Sequence, residues 1–152
     1  MIIVGSGLVN FTLLFITMFV VFGFLGHLPL NALHWIPLLV LITLGLAVGI
    51  GLFFGVLNVF IRDVGQVINI VLQFWFWLTP IVYMMSIVPE EYHATMMFNP
   101  IVGVTMGFHD VLLYNRAPDL SLLAYPSIFG FVSLLLSMTL FKKASEEMAD
   151  VL

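Results

Sequence analysis

Apolar positions in this chain fall into long blocks broken at a few charged points. No Asp, Glu, Lys or Arg occurs over residues 1–61, 64–89 or 120–141, and each stretch holds at least one membrane-length helix of ~20 residues. The pattern predicts spans over about 8–25, 35–60, 66–85 and 120–141. The first is rich in Phe and β-branched residues and ends at Gly26-His27-Leu28-Pro29. The second opens at Trp35, where an interfacial aromatic anchor is expected. Within it, Gly45, Gly49, Gly51 and Gly55 form small-residue pairs that let another helix approach. Asn58, near its end, reads as an interfacial or interhelical hydrogen-bond former rather than a substrate ligand. The last span opens after Pro118-Asp119 and closes at Lys142-Lys143, leaving a short acidic tail.

The third stretch, Gln66 to Tyr83, organises the rest. At 100° per residue, Gln66, Asn69, Ile70, Gln73, Trp77, Pro80 and Met84 share one helical face, because offsets of three and four stay on one side. Amides are costly against hydrocarbon, so this stripe is expected to face other helices or a wet path. Phe74 and Phe76 flank it and Trp75 lies opposite. Periodicity alone leaves these aromatics divided between helix packing or lipid contact and contact with a solute.

Between the third and last spans the period shortens. Pro89-Glu90-Glu91 reads as proline at the first helical position with acids in the first turn, and Asn99-Pro100 repeats a cap-and-proline start. Half-helices are predicted over 89–98 and 100–113, too short to cross a bilayer and apolar enough to be buried. Such a pair reads as a re-entrant or interfacial hairpin. The expected architecture is therefore an all-α, polytopic single transmembrane domain over residues 1–152, with four spans and a re-entrant pair of half-helices before the last.

Composition sharpens this. The chain is 62% apolar and 8% charged, with a mean hydropathy of +1.21, whereas soluble domains carry about a quarter charged residues. Its net charge of −4 is diffuse and gives no nucleic-acid footprint. The chain has no cysteine, so disulfide, thiolate and Cys-metal chemistry are excluded. Arg62, Lys142 and Lys143 against Arg116 favour a cytoplasmic Arg62-Asp63 turn and both termini inside. The apolar pattern starts almost at Met1 without a basic leader, so the expectation is part of a longer architecture.

Little catalytic chemistry is present. The only lysines are adjacent at the end of a span, which excludes a phosphate-binding GxxxxGK[ST] loop. No nucleophile or metal constellation is recognisable, and His93 and His109 lack a second ligand at metal spacing. Asp110 and Arg116 read as an exposed local pair of little energetic weight. The expected spans hold no ionisable residue of the kind that couples a pump to protons or sodium, so any transport must draw energy from elsewhere. A path lined by amides and aromatics suits a neutral, hydroxyl-rich polymer, because rings stack on sugars while amides hydrogen-bond them.

Residues 57–114 closely resemble the permease subunit of bacterial ABC type 2 exporters of polysaccharide, which carry O-antigen, capsule or teichoic-acid polymers. The resemblance rests on N-V-x-x-R-D at Asn58, Val59, Arg62 and Asp63, on LTPIVY at Leu78 to Tyr83, on VPE at Val88 to Glu90, on Asn99-Pro100, and on DVLLY at Asp110 to Tyr114, in that order and spacing. It extends more loosely over both ends.

The resemblance implies a membrane-spanning subunit of an ATP-driven exporter that moves lipid-linked polysaccharide across the bacterial inner membrane. It also implies a homodimer of the permease paired with a separate ABC ATPase subunit, which binds the ATP; the permease itself has no cofactor and is not an enzyme. Gln66, Asn69, Gln73, Phe74, Phe76 and Trp77 would line the conduit. Pro89, Glu90, Asn99 and Pro100 would belong to a periplasmic gate, and Arg62 and Asp63 to the turn facing the ATPase. Family members have six spans after an amphipathic interfacial helix, and this chain starts at what would be the third. The alternative expectation is a shortened or accessory structural membrane protein that associates with a full-length permease and does not transport by itself.

Overall fold

The computed structural model describes residues 2–26, 29–61 and 63–149. Among these, every regular element is helical: α1 (Ile2–Phe24), α2 (Ile36–Phe60), α3 (Val64–Leu78), α4 (Glu90–Met97), α5 (Pro100–Leu112) and α6 (Leu120–Ala149). Two segments, Leu33–Phe60 and Leu120–Lys143, are long and apolar enough to cross a membrane; the shorter apolar helices are Val9–Phe24, Val64–Leu78 and Pro100–Leu112.

The third expected span is the one the structure shortens. α3 stops at Leu78, and Thr79 is extended at φ −100°, ψ 133°. Proline disfavours helical backbone at the residue before it, so Pro80 ends the helix although the apolar run continues. Pro80 and Met84 thereby leave the stripe predicted from helical periodicity. At 1.5 Å per residue α3 is about 22 Å long. The last helix instead overruns its expected end and continues through Ala149, so the acidic tail starts as helix. The two short helices fall within a residue of expectation, except that Pro89 occupies the N-cap position of α4 rather than its first turn.

The frame is the α2–α6 pair. Gly49 lies so close to α6 that a Cβ there would meet Ser133 Cβ at 2.9 Å and Leu134 N at 3.0 Å, and one on Gly130 would meet Leu46 N at 3.1 Å. Backbone therefore packs on backbone, as small residues allow in apolar surroundings. Gly130 sits by Gly45 and Leu46, and Gly49 by Ser133, so residue numbers rise together and the two helices run parallel.

α5 packs on the same frame in the opposite sense, Gly103 against Leu122 and Pro126, and Gly107 against Leu39, Leu123 and Pro118. Pro126 lies inside α6, so Leu122 O loses its usual i+4 donor, and Gly103 backs onto that carbonyl. Ala32, Ile36, Leu39, Val111 and Leu123 form the buried core, with Phe15 and Phe19 of α1 packed against it. Asn115, at φ 49°, accepts from Ala32 N at 3.2 Å through its Oδ1, which ties the loop after α5 to the turn before α2.

Candidate functional site

α3 is joined to α2 by a tight turn. Asn58 Oδ1 accepts from Gly65 N at 2.7 Å, which satisfies one of the four free amides at the helix start and gives Asn58 the interhelical role its position predicts. Asp63 occupies the N-cap position without a side-chain cap bond and is exposed; its expected partner in the turn, Arg62, lies outside the described residues.

The faces of α3 are unequal. Val64, Gly65, Ile68 and Trp75 are partly buried, whereas Gln66, Asn69, Gln73, Phe74, Phe76 and Trp77 are exposed, Phe74 at 68% and Trp77 at 66%. Gln66 and Gln73 therefore point away from the described remainder of the chain, while Asn69 is exposed within the gap between α3 and α2. On the inner side a half-open cavity of 590 Å³ lies between α2, α3 and the start of α5, bounded by Thr43, Gly51, Gly55, Asn58, Asn69, Trp75, Ile101 and Val104, among others. Of the six residues assigned to a conduit from the sequence, Asn69 alone borders this cavity. The α3 aromatic that does so is Trp75, which the helical wheel sets opposite the amides, and Phe54 of α2 joins it. Phe76 and Trp77 meet edge to face at 5.9 Å and 85°.

At the other end of α3, two motifs meet. Asn99 Nδ2 donates to Thr79 Oγ1 at 2.8 Å, and Thr79 Oγ1 donates to Trp75 O at 2.8 Å. Asn99 Oδ1 also accepts from Ile101 N at 3.0 Å, the N-cap bond its sequence position predicts. Thr79 is 1% exposed and Pro80 is buried, as is Pro100. Of the four residues expected in a gate, Asn99 and Pro100 lie at this buried junction, while Pro89 and Glu90 are exposed at the start of α4. Tyr83 OH reaches back to Trp77 O at 3.2 Å, and His93 Nε2 donates to Val88 O at 2.8 Å, which gives that histidine a local structural partner.

Sequence reasoning missed the environment of Asp110. Its carboxylate accepts from Arg116 Nε at 2.7 Å and pairs with Arg116 Nη2 at 2.5 Å, with side-chain exposures of 10% for Asp110 and 66% for Arg116. The pair is half-buried, not exposed. Arg116 also lies 5.1 Å over the Tyr114 ring, and its amide donates to Asp110 O at 3.0 Å. Asp119 is exposed at the start of α6. It accepts from Ser121 Oγ at 2.7 Å and Ser121 N at 2.9 Å, and these bonds, the hydroxyl's foremost, hold its carboxyl below the usual range. No cluster of three or more metal-ligating side chains occurs among the described residues.

An all-helical arrangement among the described residues, with two segments long and apolar enough to cross a membrane, is that of a membrane protein. The chain is similar over most of its length to permeases of O-antigen export. It is 27% identical over 150 residues to the O-antigen export system permease protein RfbA of Myxococcus xanthus, covering 97% of this chain and 58% of that protein. It is 24% identical over 124 residues to the protein of the same name from Klebsiella pneumoniae, covering 80% and 48%. A second Klebsiella pneumoniae protein of that name is 25% identical over 141 residues, covering 90% and 53%. The chain thus spans about half the length of the curated relatives it matches. No family model matches it.

Proposed function

We propose that this chain is the membrane-spanning permease subunit of an ATP-driven exporter of lipid-linked polysaccharide, acting in the bacterial inner membrane as a homodimer with a separate ABC ATPase. The observation that carries this reading is the exposure of the α3 amides, Gln66 and Gln73 outward and Asn69 into the cavity beside α2. Gln66, Asn69 and Gln73, flanked by Phe74, Phe76 and Trp77, are exposed on a helix whose other face packs on its own chain. Amides against lipid are unfavourable, so this face belongs against a wet path, and its mixture of rings and amides suits a neutral glycan.

The parallel α2–α6 pair supports the four-span topology. Two parallel spans need the chain between them to return to the side where α2 began, and α3 is the helix of residues 61–119 that makes the crossing. α5 is antiparallel to α6 and starts at Pro100, roughly 10 Å inside it by helical rise. The α4–α5 hairpin therefore dips into the bilayer from the side where α6 begins and meets the end of α3. This explains how a helix shorter than the ~30 Å hydrocarbon core suffices. With basic residues favouring the inside, the Arg62-Asp63 turn and both termini are cytoplasmic, Asp63 faces the ATPase, and Pro89, Glu90, Asn99 and Pro100 belong to the periplasmic gate.

The test is affinity purification of the tagged chain from its native membranes in mild detergent, followed by mass spectrometry and by export assays of Gln73→Ala and Trp77→Ala. A co-purifying ATPase, with export lost in the variants while that partner is retained, is the expected result. Recovery only with a longer homologous permease, or unchanged export, overturns it; the first of these outcomes makes the chain an accessory protein.

A further inference from the structure

α3 is held at both ends and has a gap along its middle. Asn58 Oδ1 holds Gly65 N at 2.7 Å at the start, and Asn99 holds Thr79 at 2.8 Å at the finish. Between them lies the 590 Å³ cavity, with α2 cut back at Gly51 and Gly55, where an added Cβ would meet nothing within 4 Å. A helix beside such a gap can shift with little loss of dispersion contact. The far junction is built differently. Its hydrogen bonds run in series from Asn99 Nδ2 to Thr79 Oγ1 to Trp75 O, at a threonine 1% exposed. Breaking these bonds leaves the buried threonine hydroxyl without a ready replacement partner, although Asn99 itself is only partly buried. The same Asn99 amide caps α5 through Ile101 N, so one side chain grips the last turn of α3 and the first turn of α5.

We infer that Thr79 and Asn99 are positioning residues that make α3 and the α4–α5 hairpin move as one body, so that displacement of the 61–65 turn is delivered to the hairpin. Pro80 and Pro100 stiffen the backbone on each side of the link. The inference rests on the permease reading for what displaces the turn, while the link itself is a property of this chain alone.

The test separates the two. The chain has no cysteine, so spin labels can be placed uniquely at Val71 on α3 and Leu113 after α5, both exposed and outside the junction. In the purified full chain in lipid nanodiscs, electron–electron resonance should give one narrow distance distribution for the parent and for Thr79→Ser. It should broaden or split for Thr79→Val. Where Thr79→Val does not fold, Thr79→Val with Asn99→Ser removes the link while the serine still caps α5 and no amide is orphaned. A distribution as narrow as the parent's in the linkless variant overturns the inference, whatever the protein transports. With the co-purifying ATPase, the linkless variant should retain assembly and ATP turnover while export falls roughly tenfold, the scale of a coupling carried by one interaction. Equal loss of turnover and export would show a merely structural role and overturn the coupling.

Discussion

Ser137 Oγ donates to Gly49 O at 2.7 Å across the α2–α6 crossing, and the serine is fully buried. The bond exists because Gly49 has no side chain to hold the helices apart. Gly51, two residues on, faces open space. Gly49→Ala is therefore expected to force α6 away and lower stability by about 1–3 kcal/mol, the range for overpacking. Gly51→Ala should be neutral or stabilise by up to about 1 kcal/mol through helix propensity. Thermal unfolding of both variants in one detergent checks this, and equal effects would contradict the packing assignment.

Gly103 gives a sharper version of the same test. A Cβ there would lie 2.5 Å from Leu122 O and 3.4 Å from Pro126 Cγ, against backbone that cannot rotate aside. Gly103→Ala should separate α5 from α6 and cost at least about 2 kcal/mol, near the upper part of the overpacking range. Pro126→Ala restores a donor to Leu122 O but opens a gap beside Gly103, so it should not rescue Gly103→Ala. Unfolding midpoints of the single and double variants decide the point.

The Asp110–Arg116 pair is asymmetric, and its variants should be too. Arg116→Met leaves a carboxylate that is 10% exposed without its cation, whereas Asp110→Asn leaves an arginine that is 66% exposed and solvated. Removing one partner of a buried pair costs several kcal/mol when the remaining charge is stranded. With one partner in solvent, a loss on the order of 2 kcal/mol is expected for Arg116→Met and less for Asp110→Asn. Hydrogen exchange at the Arg116 amide, which donates to Asp110 O, should rise in the same order; a larger effect of Asp110→Asn would refute the account.

Asp119 supplies a pH test. Its carboxyl lies below the usual range because the Ser121 hydroxyl and amide favour the charged form. A depressed folded-state value stabilises the helix start above the unfolded value, and that contribution is lost as pH falls through the folded one. Protection of the Ser121 amide from exchange should thus be constant from neutral pH down to about the ordinary carboxylate range near 4 and decline below it. Asp119→Ala should remove the pH dependence along with the protection.

The helix starts at Asn99-Pro100 and after Asp119 were legible in the sequence because caps and prolines act locally. The end of α3 was legible in principle through Pro80, but the aromatic run carries the apolar pattern past it, and periodicity masked the break. The burial of Asp110 was not legible, since no local signal records that the loop at Asn115 folds back onto Ala32. The amides Gln66, Asn69 and Gln73 do fall on the helix that the sequence predicts, whereas Pro80 and Met84 do not. What sequence periodicity cannot give is which face the chain itself covers, and here it covers Trp75 and leaves Trp77 free.

Those two tryptophans therefore make the last prediction. Trp75 is partly buried beside the cavity, so Trp75→Ala should destabilise the isolated chain by about 2 kcal/mol, below the 3–5 kcal/mol of a fully buried aromatic. Trp77→Ala should change stability by no more than about 0.5 kcal/mol, as at other exposed sites. Exposure alone does not say whether Trp77 faces lipid or water, and fluorescence does. In a variant with Trp35 and Trp75 replaced by Phe, reconstituted in bilayers with the partner ATPase, emission from Trp77 should be quenched by aqueous acrylamide more than by brominated lipid. A ring on a wet path is reached from water, whereas a ring against hydrocarbon is reached from the acyl chains. Dominant quenching by brominated lipid would place the stripe's aromatic edge in the bilayer and remove the basis for reading α3 as a conduit wall.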